Sequence, residues 1–236
     1  MVSSRLAGPD GSGGPHVFVE DLSVLEIADE DHHHLAKALR TRDGDPLTVS
    51  DGAGRWRACR FGPTIEPDGD IVEVAQPAYA ISVAFVLVKG SRPELATQKL
   101  TELGVDHITL LHADHSVVRW AETKAARNIE RLERVAREAA MQSRRVRLPT
   151  IGGVQGADEV LGGNGVATAE PGGRRFDGSE RTVVVGPEGG WSPRELELAR
   201  SPVTLGSQIL RAETAAIVAG TLLGQLRDGS IAPAQS

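Results

Sequence analysis

Two segments near the C-terminus combine glycine-rich loops with charged residues, and both could do chemistry. The first covers residues 183–193 and reads VVVGPEGGWSP. Its apolar start predicts a buried strand, and its glycines allow the backbone to approach a ligand closely. Ligands of open α/β sheets bind at the carboxyl ends of strands, where such a loop belongs. The pattern is neither a P-loop nor a GxGxxG fingerprint, so spacing alone leaves a turn without a ligand open.

The second segment covers residues 205–215 and reads LGSQILRAETA, after another short apolar run. Arg211 and Glu213 stand where a helix is predicted to begin, and a glutamate there complements the helix dipole. The pair could cap a tight loop, or it could act on a substrate. Two such loops, each after a strand, could together form one concave site.

The elements that must position these loops are strands alternating with helices from residue 80 onward. Strands are predicted at 81–88, 108–111, 166–169, 182–185 and 203–205. Helices are predicted at 93–103, at 121–142, after Ser192 and at 213–226. This alternation is typical of a parallel, doubly wound sheet.

Residues 16–75 show a different pattern, with short β-branched or aromatic runs separated by turn signals. These runs cover 16–19, 46–50, 56–61 and 71–74, and one helix is predicted at 29–41. Short strands around one helix predict a small β-barrel. Residues 76–78 are predicted to form a linker, and the Ser-, Gly- and Pro-rich residues 1–15 predict a flexible tail.

Composition excludes several classes of protein. With 40% hydrophobic and 25% charged residues, the chain resembles an ordinary globular protein. It has no apolar run of roughly 20 residues and no signal-peptide pattern at its start, so no membrane association is expected. Cys59 is the one cysteine, which excludes an intrachain disulfide and favours the cytoplasm. His32–His34 on a helix point in different directions, so no metal site is expected.

The charge of the chain is unevenly distributed. The net charge of −6 argues against bulk attraction to nucleic acid, yet residues 119–147 carry nine basic and four acidic residues. In the predicted long helix, Arg127, Arg131 and Arg134 lie opposite the apolar face. This stripe is either a solvated surface or a phosphate-binding track, and spacing does not decide between them.

The motifs resemble those of the RsmE family of SPOUT methyltransferases. The C-terminal pair VVVGPEGGWSPRELELA and LGSQILRAETAAI resembles the family signature most specifically. Upstream, KGSRPELATQKLTELGV and REAAMQSRR resemble two further family motifs, and HHLAKALRTRDGD and SDGAGR resemble elements of its first domain. The chain departs from the family at Pro93 and Glu94, where Met-Asp is usual, and in an insertion-like stretch at 172–180.

The resemblance implies a two-domain α/β protein. Residues 80–236 would form a SPOUT α/β trefoil-knot domain with a parallel sheet, preceded at 16–75 by a small PUA-like RNA-binding β-barrel. The family also implies a homodimer that binds S-adenosyl-L-methionine (SAM) and needs no metal. Its activity would be methylation of N3 of a uridine in 16S rRNA of the 30S ribosomal subunit.

The resemblance also assigns roles to individual residues. Glu213 would be the base or an orienting group, and Arg211 would stabilise the uracil oxygens. The implied cofactor-binding residues are Glu170, Gly186, Glu188, Gly189, Gly190, Leu205, Gly206, Ile209, Leu210 and Ala212. The implied RNA contacts are Arg40, Arg42, Arg127, Arg131, Arg134, Arg144 and Arg145. Trp191 is expected to pack, although it lies beside the cofactor loop.

Three other functions compete with this interpretation. A SPOUT enzyme acting on a ribose 2′-O or a tRNA base is the nearest, but the barrel-first order and the QKLTELGV motif count against it. A non-catalytic RNA-binding ribosome-assembly factor would have no reason to retain both glycine-rich segments. A nicotinamide dehydrogenase would need the absent fingerprint.

Overall fold

The computed structural model describes residues 8–234, without the side chains of Ala38 and Glu122, and the chain divides into two compact units. The first unit extends to Gln76 and also includes Arg137–Leu148, while the second comprises Pro77–Ala136 and the chain from Pro149 onward. The division therefore falls in the predicted linker. The sequence did not predict that residues 137–148 belong with the first unit.

The predicted tail is in part attached to the first unit. Residues 1–7 lie outside the described residues. Farther along, the Asp10 side chain caps a 3₁₀ turn at Gly11–Gly13, and the Thr48 N–H donates to the Pro15 carbonyl (2.9 Å). Pro15 is therefore bonded to the sheet, and residues 10–13 form a capped turn, where the sequence predicts a flexible tail.

The first unit contains one five-stranded sheet. Its strands are β1 (His16–Phe18), β2 (Pro46–Ser50), β3 (Arg55–Arg60), β4 (Glu66–Pro67) and β5 (Val72–Glu73). Strand β1 runs parallel to β2, and the remaining pairs, β2–β3, β3–β4 and β3–β5, are antiparallel. A buried core that includes Val17, Leu22, Leu35, Leu47 and Val49 holds the sheet together.

The helix predicted at 29–41 is shorter and less regular in the structure. Helix α1 covers Asp29–His33 and continues as a π-helical turn over His34–Ala38. It ends because Arg40 has a left-handed backbone (φ 56°), a conformation that terminates a helix. The prediction was therefore wrong for residues 39–41.

The second unit is a six-stranded parallel sheet with helices, as the alternation predicted. Its strands are β6 (Ser82–Val86), β7 (His107–His112), β8 (Thr150–Gly156), β9 (Val166–Arg174), β10 (Thr182–Val185) and β11 (Pro202–Val203). Their order is β11-β9-β10-β6-β7-β8, and every neighbouring pair is parallel. Its helices are α2 (Arg92–Glu102), α3 (Glu122–Ser143), α4 (Ala157–Leu161), α5 (Pro193–Leu198) and α6 (Ala212–Arg227), and the residues of α3 from Arg137 onward belong to the first unit.

Helices α2 and α6 pack closely against each other. Gly220 of α6 is buried, and a Cβ atom there would lie 2.6 Å from a methyl group of Leu100. A side chain at this position would force the helices apart, since interiors have no spare volume. Phe85 of β6 and Val183 of β10 are fully buried beneath them. No helix within residues 8–234 combines the length and apolar character needed to cross a membrane.

Candidate functional site

The loops that follow β10 and β11, together with residues 169–171 within β9, enclose a cavity of about 340 Å³. Strands β11, β9 and β10 lie side by side, so their carboxyl ends bring distant parts of the chain together. The volume is within the range of small-molecule sites. The cavity is lined by Ala169, Glu170, Pro171, Val185, Gly186, Pro187, Glu188, Gly190, Trp191, Thr204, Leu205, Gly206, Gln208, Ile209, Leu210, Ala212 and Ala215.

Nine of the ten residues predicted to bind a cofactor line this cavity. The one that does not is Gly189, where a Cβ atom would lie 3.6 Å from the Cβ of His115, on the loop after β7. The two glycine-rich segments predicted to form one concave site therefore do so. The sequence did not indicate Pro171, Pro187, Thr204, Gln208 or Ala215 as lining residues.

The loop after β10 is shaped by contact between Gly186 and Trp191. Trp191 is buried and lines the cavity, and a Cβ atom on Gly186 would lie 2.6 Å from its indole ring. Only glycine therefore allows the ring to pack at this position. Gly190 has a left-handed backbone (φ 73°), and its N–H donates to the Pro187 carbonyl (2.9 Å), which closes the turn.

A buried carboxylate fixes the far end of this loop. Glu195 is 1% exposed and accepts hydrogen bonds from the Ser192 N–H (2.8 Å) and the Asp114 N–H (2.9 Å). The Ser192 hydroxyl donates to Asp114 Oδ2 (2.6 Å), which together with Arg194 lowers the pKa of Asp114. Glu195 thus caps α5 and joins it to the loop after β7. The SPxE sequence at 192–195 is a capping box.

Glu170 gives the cavity wall an ionisable group. Burial raises the pKa of this carboxyl above its ordinary value of 4.5, and the Trp191 indole N–H partly offsets that effect. The ligand-free site therefore destabilises the charged form relative to water. A cationic ligand beside Glu170 would reverse this effect.

The predicted catalytic pair lies at the beginning of α6, next to the cavity. Arg211 is the exposed N-cap residue, and Glu213 is in the first turn with 10% of its side chain exposed. Glu213 Oε1 lies 3.5 Å from Arg92 Nε, and Oε2 is buried without a hydrogen-bond partner among the described residues. Neither lines the cavity, although Leu210 and Ala212 beside them do. Arg92 was not identified in the sequence as a site residue.

The arginines predicted to contact RNA are divided between the two units. Arg40, Arg42, Arg144 and Arg145 belong to the first unit, and Arg127, Arg131 and Arg134 belong to the second. Arg127 and Arg134 are exposed, whereas Arg131 forms an ion pair with Glu94 (3.1 Å). The Arg144 guanidinium donates to the Gly14 carbonyl, so this side chain has a structural contact.

Residues suited to metal binding do not cluster in the described chain. Between residues 8 and 234, no group of three or more His, Cys, Asp or Glu side chains is placed to hold a metal ion. His32 Nε2 lies 3.0 Å from the Gly62 carbonyl, and its ring contacts Phe61. This histidine therefore has a packing role.

Comparison with known proteins identifies the class of protein to which this chain belongs. A family model described as an RNA methyltransferase domain matches residues 75–224. This range contains every residue that lines the cavity. The parallel sheet and its cavity are therefore those of an RNA methyltransferase.

Individual relatives narrow the class to one family. A Mycobacterium tuberculosis protein named ribosomal RNA small subunit methyltransferase E is 30% identical over 87% of this chain and 88% of its own length. The Bacillus subtilis protein of that name is 28% identical over 85% and 90%. A crystal structure of the Neisseria gonorrhoeae protein of that name, bound to S-adenosyl methionine, is 25% identical with a TM-score of 0.74, covering 90% of this chain and 97% of that one. The chain belongs to the ribosomal RNA small subunit methyltransferase E family, which confirms the resemblance in its motifs.

Proposed function

We propose that this protein transfers a methyl group from SAM to N3 of a uridine in 16S rRNA of the small ribosomal subunit. The observation that carries the proposal is the cavity formed by the two family motifs, with the partly unpartnered carboxylate of Glu213 beside it. Membership of the methyltransferase E family supports the rRNA substrate, and the N3 position follows from the family resemblance.

The lining of the cavity fits SAM chemically. Leu205, Ile209, Leu210 and Ala215 offer apolar surface for an adenosine, and the glycine-rich loops offer backbone groups. Glu170 and Glu188 supply carboxylates that suit the cationic sulfonium and ammonium groups. We assign the ten predicted cofactor residues to this role, with Gly189 acting through the loop conformation. When bound, the cofactor supplies a methyl group already activated by a positive sulfur.

The protein must align the uracil and remove its N3 proton. Arg92 contacts one oxygen of Glu213, which leaves the unpartnered Oε2 to accept the proton. A general base of this kind contributes about 10²–10⁴-fold to the rate. Arg211, exposed at the helix start, stabilises the negative charge that develops on the uracil oxygens. The target base has to leave its stack to reach these groups.

The proposal extends to the architecture implied by the family. The first unit serves as a PUA-like RNA-binding domain, with Arg40 and Arg42 exposed for phosphate contacts. The second unit is a SPOUT domain whose last segment forms a trefoil knot. A homodimer completes the RNA site, and the ribosomal substrate places the enzyme in the cytoplasm.

The decisive experiment is methyl transfer from labelled SAM to 30S subunits isolated from cells that lack this activity. The RNA is digested to nucleosides and analysed by mass spectrometry. N3-methyluridine is the expected product, and it should disappear with Glu213→Gln protein. A 2′-O-methyl nucleoside would instead support a ribose methyltransferase. SAM binding without transfer to subunits or naked RNA would refute the proposed substrate.

A further inference from the structure

Strand β9 leaves the sheet in the middle of its length. Pro202 of β11 pairs with Thr168, yet the next residue, Val203, pairs with Arg174. Residues 169–173 therefore bulge out between two adjacent pairings, whereas an ordinary β-bulge has one extra residue. Three of them, Ala169, Glu170 and Pro171, form one wall of the cavity. The position of this wall depends on how the two ends of the bulge are held.

Backbone contacts with β11 and its flanking residues close both ends of the bulge. At its beginning, the Thr168 N–H donates to the Ser201 carbonyl (3.0 Å). At its end, the Thr204 N–H donates to the Arg174 carbonyl (2.9 Å). A Cβ atom on Gly173 would lie 2.7 Å from the backbone of Val203, so the two chains are in close contact. Thr204 itself lines the cavity. The Arg174 backbone therefore connects the wall formed by residues 169–171 with the wall that contains Thr204.

The Arg174 side chain reaches back across the base of the bulge. Its Nη2 donates to Ser201 Oγ (2.9 Å), beside the first closing contact. Its Nη1 donates to Glu180 Oε1 (2.5 Å), and the Glu180 side chain is 1% exposed. The other Glu180 oxygen accepts from the Gly178 N–H (3.0 Å). A buried carboxylate that loses its cation is strongly destabilised, so the arginine position is well determined.

We propose that Arg174 and Glu180 are positioning residues that hold the 169–173 bulge and thereby set the affinity of the cavity for SAM. Neither residue lines the cavity, so both act through Glu170 and Pro171. The stretch at 172–180, which is insertion-like in the sequence, then serves to hold the bulge in position. The inference rests on the proposed SAM site.

The test uses full-length Arg174→Ala protein, with Arg175→Ala as the matched control because that neighbouring side chain is exposed. SAM affinity is measured by calorimetry, and hydrogen exchange of residues 169–173 is measured without ligand. Arg174→Ala should raise the Kd for SAM about tenfold. Its kcat at saturating SAM should stay within about twofold, because ground-state binding alone is weakened. Exchange should accelerate in the bulge, Arg174→Lys should restore part of the affinity, and the control should match the wild type.

Other outcomes separate this inference from the proposed function. Unchanged affinity and unchanged exchange in Arg174→Ala would overturn it, as would faster exchange spread uniformly through the second unit. If that variant does not fold, Ser201→Ala removes one contact of the arginine and should still raise the Kd measurably. Failure of the wild type to bind SAM would refute the proposed cofactor. The exchange data would still show whether Arg174 holds the bulge.

Discussion

Replacing Glu213 with glutamine separates the chemistry of this carboxylate from its place in the fold. The substitution removes the contact with Arg92, whose N–O distance is 3.5 Å and whose side chain is 40% exposed. Such a partly exposed ion pair stabilises a protein by about 0–1 kcal/mol. It also removes charge from Oε2, which is buried without a hydrogen-bond partner among residues 8–234. An unsatisfied buried group costs about 1–3 kcal/mol.

Glutamine leaves a polar atom in the same buried place, so this second cost is largely retained and the weakened ion pair is the main change. The glutamine variant should therefore unfold at the same temperature as the wild type or a few degrees lower, since about 1 kcal/mol shifts Tm by roughly 2–4 °C at this size. Its methyl transfer should fall by about 10²–10⁴-fold, because the amide cannot accept the N3 proton. Its SAM affinity should not change, because Glu213 does not line the cavity.

The assay combines single-turnover transfer to 30S subunits with thermal unfolding and calorimetric titration of SAM. Raising the pH tests the role further, because a uridine that loses its N3 proton to solvent needs the base less. The glutamine variant should therefore recover activity relative to the wild type as pH rises. Full activity in a folded variant would refute Glu213 as the base. Loss of SAM binding in the same variant would show that Glu213 belongs to the cofactor site.

Three further predictions follow from the cavity and the arginines. The SAM Kd should rise as the pH falls, because burial raises the pKa of Glu170 above 4.5 and protonation removes a charge that faces the cation. Calorimetry should show a weaker, pH-independent Kd in Glu170→Gln. Gly186→Ala should displace Trp191, destabilise the protein by about 1–3 kcal/mol in thermal unfolding and weaken SAM binding. Arg127→Ala should reduce the salt slope of 30S binding by about 1, as expected for one lost phosphate contact, and should leave Tm unchanged. Arg144→Ala should instead lower Tm, because it removes the hydrogen bond to the Gly14 carbonyl. A SAM Kd that does not depend on pH would contradict the first prediction, and normal SAM binding by Gly186→Ala would contradict the second. The third would be contradicted if Arg127→Ala lowered Tm while Arg144→Ala changed only the salt dependence of 30S binding.

The central elements of the second unit could be predicted because their sequences are locally unambiguous. Strand β10 was predicted at 182–185 and is observed at Thr182–Val185, since four apolar β-branched or threonine residues in succession favour a buried strand. Helix α6 was predicted at 213–226 and is observed at Ala212–Arg227. The glycine-rich loops that follow such strands carry the family motifs, so most of the cavity lining was also predictable.

The elements that were missed depend on contacts distant in sequence. Strand β8, Thr150–Gly156, contains three glycines and pairs only with β7 at the edge of the sheet, so its local strand propensity is weak. Strand β9 was predicted to end at residue 169, shortly before the insertion-like stretch at 172–180. Its return to the sheet at Arg174 requires Val203, which no local pattern reveals. Arg92 likewise meets Glu213 only because α2 and α6 pack together.

Within the second motif, residues 205–215, the residues that line the cofactor cavity lie next to those proposed to act on the substrate. Residues 205–210 form a loop that lines the cavity, and α6 begins directly afterwards at Ala212. The helix turns the chain, so Ala212 and Ala215 face the cavity while Glu213 faces Arg92 of α2. The positive end of the helix dipole adds to the charge of Arg92 beside the carboxylate. Substitutions of Leu205 or Leu210 should therefore weaken cofactor binding, whereas those of Arg211 or Glu213 should slow transfer from a protein that still binds its cofactor.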